Sequence, residues 1–263
     1  VCGFALARLL WPERVFLALG AAAFVAFNPQ FVFVSAGVTN DNLLNALFSV
    51  CLVLAVRFVR DGASWWHWAG LGALVGLGLL TKQSALLLLP LGLLAIGQQH
   101  SKATWRCSLF IVHCSLFILP ALVVGGWWYV RNALLYGDLL GLGPHLAAQI
   151  PLARFGLNEA WMVARSYWAG FGWAPILVES PLYVVAGLVM LTAIAGLAVA
   201  ARSGGDLWQV SPTTRRGLAL AACALGLNVV GFVRWAMATG APVGRLLFPT
   251  LPVVGVLVAR GLA

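Results

Sequence analysis

Long apolar stretches, separated by short polar or basic segments, make up most of the chain. Several of them reach the roughly 20 residues that a helix needs to cross about 30 Å of hydrocarbon. A single buried core would not need so many such stretches. The pattern therefore predicts eight transmembrane helices, which are Val15–Val38, Leu43–Val59, Trp65–Leu80, Ser84–Gly97, Cys107–Val130, Leu182–Ala201, Gly217–Trp235 and Leu246–Leu262.

Composition supports this interpretation. The chain has 263 residues, of which 62% are hydrophobic and 9% are charged. Soluble domains have about 45–50% apolar and about 25% charged residues, and so few charges cannot form a polar shell. We predict an all-α, multi-pass transmembrane bundle that forms one domain over residues 1–263 and lies in the inner or plasma membrane of the cell.

The first ten residues indicate whether part of a helix precedes them. Val1 to Leu10 is already apolar, with no basic segment before it and no cleavage site of small residues after it, so we do not expect it to be a signal peptide. We interpret it as the end of an earlier helix and expect the chain to be an N-terminally truncated fragment.

Basic residues orient the bundle. Cytoplasmic loops of membrane proteins carry an excess of Lys and Arg. If the segment before Val15 is cytoplasmic, ten of the 16 Lys and Arg residues lie inside and six outside. The inside set is Arg8, Arg14, Arg57, Arg60, Lys102, Arg106, Arg202, Arg215, Arg216 and Arg260, and the outside set is Lys82, Arg131, Arg154, Arg165, Arg234 and Arg245. Residues 57–63 and 203–216 are then cytoplasmic loops.

The predicted outer face carries most of the polar groups and one long connection, at about residues 131–181. A connection of about 50 residues is usually functional or independently structured.

The net charge of +9 would suggest nucleic acid in a soluble protein, but here the basic residues follow apolar stretches, so no nucleic-acid partner is expected.

Asp41 is the first candidate site residue. Pro29 should kink the helix before it, and the Thr39-Asn40-Asp41-Asn42 turn then falls on the outer face. One interpretation is that Asn40 or Asp41 is an N-cap of the next helix. A capping carboxylate that faces a cavity can also hold a metal ion or a hydroxyl group, so both roles stay open.

Three cations are the other candidates. Lys82 stands between two apolar runs, where it either snorkels to the interface or binds an anionic headgroup. Arg131 ends a helix beside aromatic residues, as an interfacial anchor or a phosphate ligand, and Arg245 has the same setting at the last helix. Several cations near a carboxylate on one membrane face suit a phosphate-bearing lipid.

Together these segments resemble bacterial GT-C membrane glycosyltransferases, most closely the protein mannosyltransferases and aminoarabinose transferases. The resemblance runs from about Val15 to Ala263. It rests on the motifs Asn-Pro-Gln-Phe…Asn-Asp-Asn-Leu, Gly-Leu-Leu-Thr-Lys…Leu-Leu-Pro, Trp-Tyr-Val-Arg-Asn…Leu-Tyr-Gly-Asp and Gly-Arg-Leu-Leu-Phe-Pro.

The resemblance implies an enzyme that moves a sugar from a polyprenyl-phosphate carrier to a glycan, lipid or protein acceptor on the extracytoplasmic face. Its usual general base is a carboxylate in the first outer loop, which this sequence does not contain, and Asp41 matches the second, supporting acidic position. Lys82, Arg131 and Arg245 would hold the phosphate leaving group. The further candidates are Asn40, Asn42, Tyr136 and Asp138.

Two other functions stay open at this point. A transporter or lipid flippase would have inverted repeats and broken helices at the membrane midplane, and no convincing repeat is visible. A non-catalytic membrane subunit would fit a fragment without the base. The sequence indicates no certain cofactor. A divalent metal ion beside Asp41 stays an open alternative, although Asp41 with Asn40 and Asn42 is too small a ligand set to indicate one.

Overall fold

The computed structural model describes residues 1–100, 107–172, 175–202 and 210–263. Within these ranges the structure is almost entirely helical. The α-helices are α1 (Cys2–Leu10), α2 (Val15–Ala26), α3 (Pro29–Ser35), α4 (Asn40–Asp61), α5 (Trp65–Thr81), α6 (Leu88–His100), α7 (Cys107–Ala121), α8 (Trp127–Tyr136), α9 (Gly143–Ala147), α10 (Leu157–Ala169), α11 (Ser180–Arg202), α12 (Pro212–Thr239) and α13 (Leu251–Leu262).

Three tighter or wider helical turns connect some of these helices. They are 3-10 turns at Gln83–Leu87 and Gly244–Thr250 and a π-turn at Leu122–Gly126. Two short strands, β1 (Gly170–Phe171) and β2 (Ile176–Leu177), pair antiparallel. The predicted all-α, multi-pass fold is confirmed.

The predicted number of eight spans is not confirmed. Among the described residues, five helical stretches are long and apolar enough to cross a membrane, and they are Asn40–Asp61, Ser108–Tyr136, Ser180–Arg202, Pro212–Thr239 and Gly244–Leu262. The bent pair of α2 and α3 would be a sixth. The remaining two predicted segments are helical but short, because α5 has 17 residues and a 3-10 turn opens the segment Gln83–Gln99.

The predicted interruption at Asn28-Pro29 is a sharp bend. The axes of α2 and α3 differ by 62°. The Asn28 side chain caps α3 by accepting from the Phe31 N–H at 2.8 Å, and Pro29 occupies the first turn, where its missing N–H costs nothing. Asn28 also donates to the Tyr167 carbonyl at 3.2 Å, so the bend fastens α10 to the bundle.

The main core forms where α4 and α5 pack on their neighbours, and Phe48, Trp68 and Phe117 are fully buried in it. α5 approaches α7 closely through Gly72 and Gly76, four residues apart. A Cβ atom at Gly72 would lie 2.1 Å from the Phe117 carbonyl oxygen. Small residues at this spacing let membrane helices approach backbone to backbone, so α5 packs closely against α7.

Two helix ends differ from the sequence interpretation. α4 has Thr39 as its N-cap, and Asn40 and Asp41 lie in its first turn, so the N-cap interpretation of those two residues is wrong. α8 continues to Tyr136, beyond the predicted end of that helix at Val130. The rest of the outer connection 131–181 includes α9, α10 and the strand pair, in keeping with the expectation that it has structure of its own. Lys102, Arg106, residues 173–174 and residues 203–209 lie outside the described residues, and the orientation in the membrane stays a prediction.

Candidate functional site

A cavity of about 770 Å³ opens at one end of the bundle. Its volume lies in the range of about 300–1,000 Å³ that is usual for small-molecule sites. Leucines form much of the wall, and the polar groups come from several separate segments. The polar lining residues are Asn40, Asp41, Asn45, Thr81, Lys82, Gln83, Ser84, Tyr129, His145, Asn228, Arg234 and Arg245.

Asp41 lies between two cations on this wall. The Lys82 Nζ atom is in close contact with one carboxylate oxygen, Oδ1. The Arg245 Nε atom lies 3.8 Å from the other oxygen, Oδ2. The exposed fractions of the Asp41, Lys82 and Arg245 side chains are 17%, 28% and 15%. The three charges are therefore partly shielded from water, which strengthens their interaction.

Lys82 reaches Asp41 because the helix breaks at this residue. α5 ends at Thr81, and Lys82 itself has an extended backbone, with φ −162° and ψ 144°. The next residues form the 3-10 turn, in which the Ala85 N–H donates to the Lys82 carbonyl at 3.0 Å. The side chain thus lines the cavity instead of continuing a lipid-facing stripe.

Arg245 is positioned by a 3-10 turn that other helices hold from two sides. The Gly244 N–H donates to the Ser166 hydroxyl of α10 at 2.8 Å. A Cβ atom at position 244 would lie 2.4 Å from the Val163 carbonyl oxygen, so only glycine fits against α10 here. From α12, the buried Asn228 side chain donates to the Leu247 carbonyl at 3.1 Å and to the Thr250 hydroxyl at 2.9 Å.

Arg131 does not join this group. It is not among the cavity-lining residues, and its guanidinium stacks over the Trp128 ring, with Cζ 4.8 Å from the ring centroid. It also donates to the Asn132 side-chain oxygen at 3.4 Å. Trp128 itself lines the cavity, so Arg131 lies behind an aromatic wall residue rather than beside Lys82.

The further candidates separate in the same way. Asn40 lines the cavity, whereas the Asn42 side-chain nitrogen donates to the Val34 and Gly37 carbonyls, at 2.8 and 2.5 Å, and closes the turn before α4. Tyr136 is exposed at the end of α8, outside the cavity lining.

Asp138 organises a loop. Its carboxylate accepts from the backbone N–H groups of Leu140, Leu142 and Gly143, at 2.9, 2.7 and 3.1 Å. These hydrogen bonds, led by those from Leu140 and Leu142, lower the pKa of the Asp138 carboxyl. The loop that it shapes carries Leu140 and Leu142 to the cavity wall.

Sequence reasoning missed a second polar part of the cavity. His145 on α9 and Trp235 on α12 both line it, with ring centroids 5.6 Å apart and ring planes only 5° from parallel. Arg234 lines the same cavity. Arg234 entered the sequence analysis only as one more outer cation, and a lone histidine in a long connection gives no local pattern by which to select it.

The donor set does not favour a metal ion. Among the described residues, no group of three or more His, Cys, Asp or Glu side chains is arranged to hold one. Asp41 already has a cation at each oxygen, so a divalent ion at this carboxylate would bring more positive charge to the same place.

Part of the chain matches a known protein family. Residues 2–128 match the family described as dolichyl-phosphate-mannose-protein mannosyltransferase. The match includes Asp41 and Lys82 and ends before Arg131, and it supports a membrane glycosyltransferase family. No curated protein and no solved structure has significant similarity to the chain.

Proposed function

We propose that this protein is a membrane glycosyltransferase that transfers a sugar from a polyprenyl-phosphate carrier to an acceptor on the extracytoplasmic face. The observation that carries the proposal is the meeting of Lys82 and Arg245 on one wall of a largely apolar cavity. The family match over residues 2–128 supports the sugar-transfer chemistry independently.

The charge of this wall suits the leaving group of the reaction. A sugar linked through phosphate to a lipid is a phosphodiester with one negative charge. The acceptor oxygen bonds to the anomeric carbon of the sugar and loses its proton to a general base, while the bond from that carbon to the phosphate oxygen breaks. The electron pair of the broken bond stays on the phosphate oxygen, and the phosphomonoester formed carries about −1.5 to −2 charges near neutral pH. Cations already in place stabilise this developing charge more than the ground state, which lowers the barrier.

The two cations contribute differently. Lys82 offers an ammonium point charge, while the planar guanidinium of Arg245 can donate two parallel hydrogen bonds to phosphate oxygens. Bringing them together without a counterion would cost Coulomb energy in a partly shielded site. Asp41 offsets that repulsion, and we assign it a positioning role for both cations, in keeping with a supporting acidic residue.

Replacing Lys82 tests the proposal. Lys82→Met keeps the length of the side chain and removes its charge, and Asp41 keeps Arg245 as a partner, so folding should survive. Loss of one charge-assisted contact should cost about 1.5–3 kcal/mol in donor binding and turnover, roughly a ten- to 150-fold fall. The measurement is sugar transfer from polyprenyl-phosphate-linked donors at matched expression.

Arg57→Met is the matched control, because Arg57 lies on the same helix as Asp41 and its side chain is 65% exposed. We expect the control to keep the activity of the parent protein. Activity of Lys82→Met within about twofold of the parent would reduce Lys82 to an interfacial anchor and remove the main support for the proposal.

A further inference from the structure

Asp41, Lys82 and Arg245 form the charged wall of the cavity. The cavity has a second wall whose chemistry differs from that of the charged wall. We propose that the stacked rings of His145 and Trp235 are the platform that receives the sugar ring of the donor, an inference that rests on the proposed function. The evidence is their near-parallel stack, at 5.6 Å and 5°, and their position on the same cavity as Asp41, Lys82 and Arg245.

The outer face of such a stack suits a carbohydrate. One face of a hexose presents C–H groups, which pack on an aromatic surface, and its hydroxyl groups project from the edge of the ring. The indole N–H and the imidazole nitrogens can pair with such hydroxyls, and Arg234, which lines the same cavity, adds donors. Phosphate against the charged wall and sugar against the rings would place the scissile bond between the two walls.

The platform is held from both sides. On the α12 side, the Leu152 N–H donates to the Met237 carbonyl at 2.8 Å. Gly240 ends α12 with φ +69°, and a Cβ atom there would lie 2.3 Å from the Ile150 carbonyl oxygen. The connection after α9 is therefore pressed against the end of α12, which keeps His145 opposite Trp235.

On the other side, the Gln83 side-chain nitrogen donates to the Leu140 carbonyl at 2.6 Å. Gln83 follows Lys82 in the chain, so the residues before α9 are tied to the charged wall. A surface fixed before the ligand arrives loses less conformational entropy on binding. An ordinary interfacial tryptophan needs no such support, and Trp127 is an example, since it is exposed and lies outside the cavity lining.

The test compares lipids with and without a sugar. The probes are polyprenyl phosphate and the same lipid carrying mannose, glucose or aminoarabinose, titrated against the detergent-solubilised protein. The parent should bind at least one sugar-bearing lipid more tightly than the bare lipid. Trp235→Leu should weaken that lipid about three- to tenfold, as expected for one lost aromatic contact, and leave the bare lipid within about twofold.

Four further variants make the result specific. His145→Phe keeps a flat ring and should retain most of the preference for the sugar-bearing lipid, whereas His145→Ala should reduce it. Lys82→Met should weaken all the lipids together, and Trp127→Leu should change none of them.

The outcomes distinguish the two proposals. Equal weakening of bare and sugar-bearing lipids by Trp235→Leu would assign the rings to the isoprenoid tail or to folding, and would overturn the platform. Absence of any preference in the parent would overturn it too, with the phosphate site intact. Failure of the parent to bind the bare lipid, or Lys82→Met with unchanged affinity, would instead contradict the proposed function.

Discussion

Helix α4 carries an aspartate with two cationic partners near each of its ends, and the two groups are very different. Near its start, Asp41 pairs with Lys82 and Arg245, which belong to distant segments. At its last residue, Asp61 pairs with Arg60 at 2.7 Å and with Arg57 at 3.7 Å, both on the same helix. Asp61, Arg60 and Arg57 are 42%, 34% and 65% exposed, against 15–28% for the first group.

The difference separates a helix-surface feature from a candidate site. Arg57 lies one turn before Asp61 and Arg60 directly precedes it, so both contacts lie within α4 itself, and exposed pairs contribute about 0–1 kcal/mol. The group at Asp41 needs α4, the end of α5 and the turn before α13 to meet, and it faces a cavity. The charged group around Asp61 therefore contributes little to stability, whereas the group around Asp41 is placed to bind an anion.

Chemical labelling gives the largest expected contrast, because it is nearly all-or-none. The excess of basic residues predicts that the Asp61 end is cytoplasmic and that the connection 131–181 is extracytoplasmic. In a variant without the native cysteines, Ala148→Cys should react with a membrane-impermeant maleimide added to intact cells. Ala63→Cys should react only after the cells are opened. The opposite pattern would reverse the orientation and place the charged cavity on the cytoplasmic side.

Neutralising each aspartate tests the comparison energetically. Asp41→Asn leaves Lys82 and Arg245 close together without a counterion, so we expect a loss of about 1–3 kcal/mol in the free energy of unfolding and reduced transfer activity. Asp61→Asn should stay within about 0.5 kcal/mol of the parent. Thermal unfolding in detergent, together with the transfer assay, measures both.

Similar effects of the two substitutions would contradict the distinction drawn between the groups. Faster transfer by Asp41→Asn, with no loss of stability, would mean that Asp41 keeps the two cations away from the phosphate. It would contradict the role of Asp41 in holding them in place for the phosphate.

A third carboxylate provides the smallest effect. Asp138 is held by backbone N–H groups, and its pKa is lowered. Its contribution to loop stability should be present above the ordinary aspartate range and be lost as the pH falls through the lowered value. At neutral pH, Asp138→Asn should speed amide exchange at Leu140, Leu142 and Gly143 relative to the parent. That difference should vanish on acidification, and no difference at neutral pH would contradict the loop-organising role.

The sequence by itself determined the fold class and the bend at Pro29. The physical reason is that both are local, since the length and apolarity of a segment decide whether it is a membrane helix, and proline acts on its own turn. It also selected Asp41, Lys82 and Arg245, because charges next to long apolar runs are costly and therefore stand out. Arg131 stood out for the same reason, yet it lies outside the cavity lining, since local cost does not reveal which way a side chain points.

Only the tertiary structure decided which of these residues meet. The contact of Asp41 with Lys82 depends on a helix break after Thr81, and that of Arg245 on a turn held by Ser166 and Asn228. The stack of His145 on Trp235 joins a connection to a helix far along the chain. These contacts depend on packing between segments that are distant in sequence. Neither the spacing of hydrophobic residues nor the pattern of charges along the chain predicts that packing.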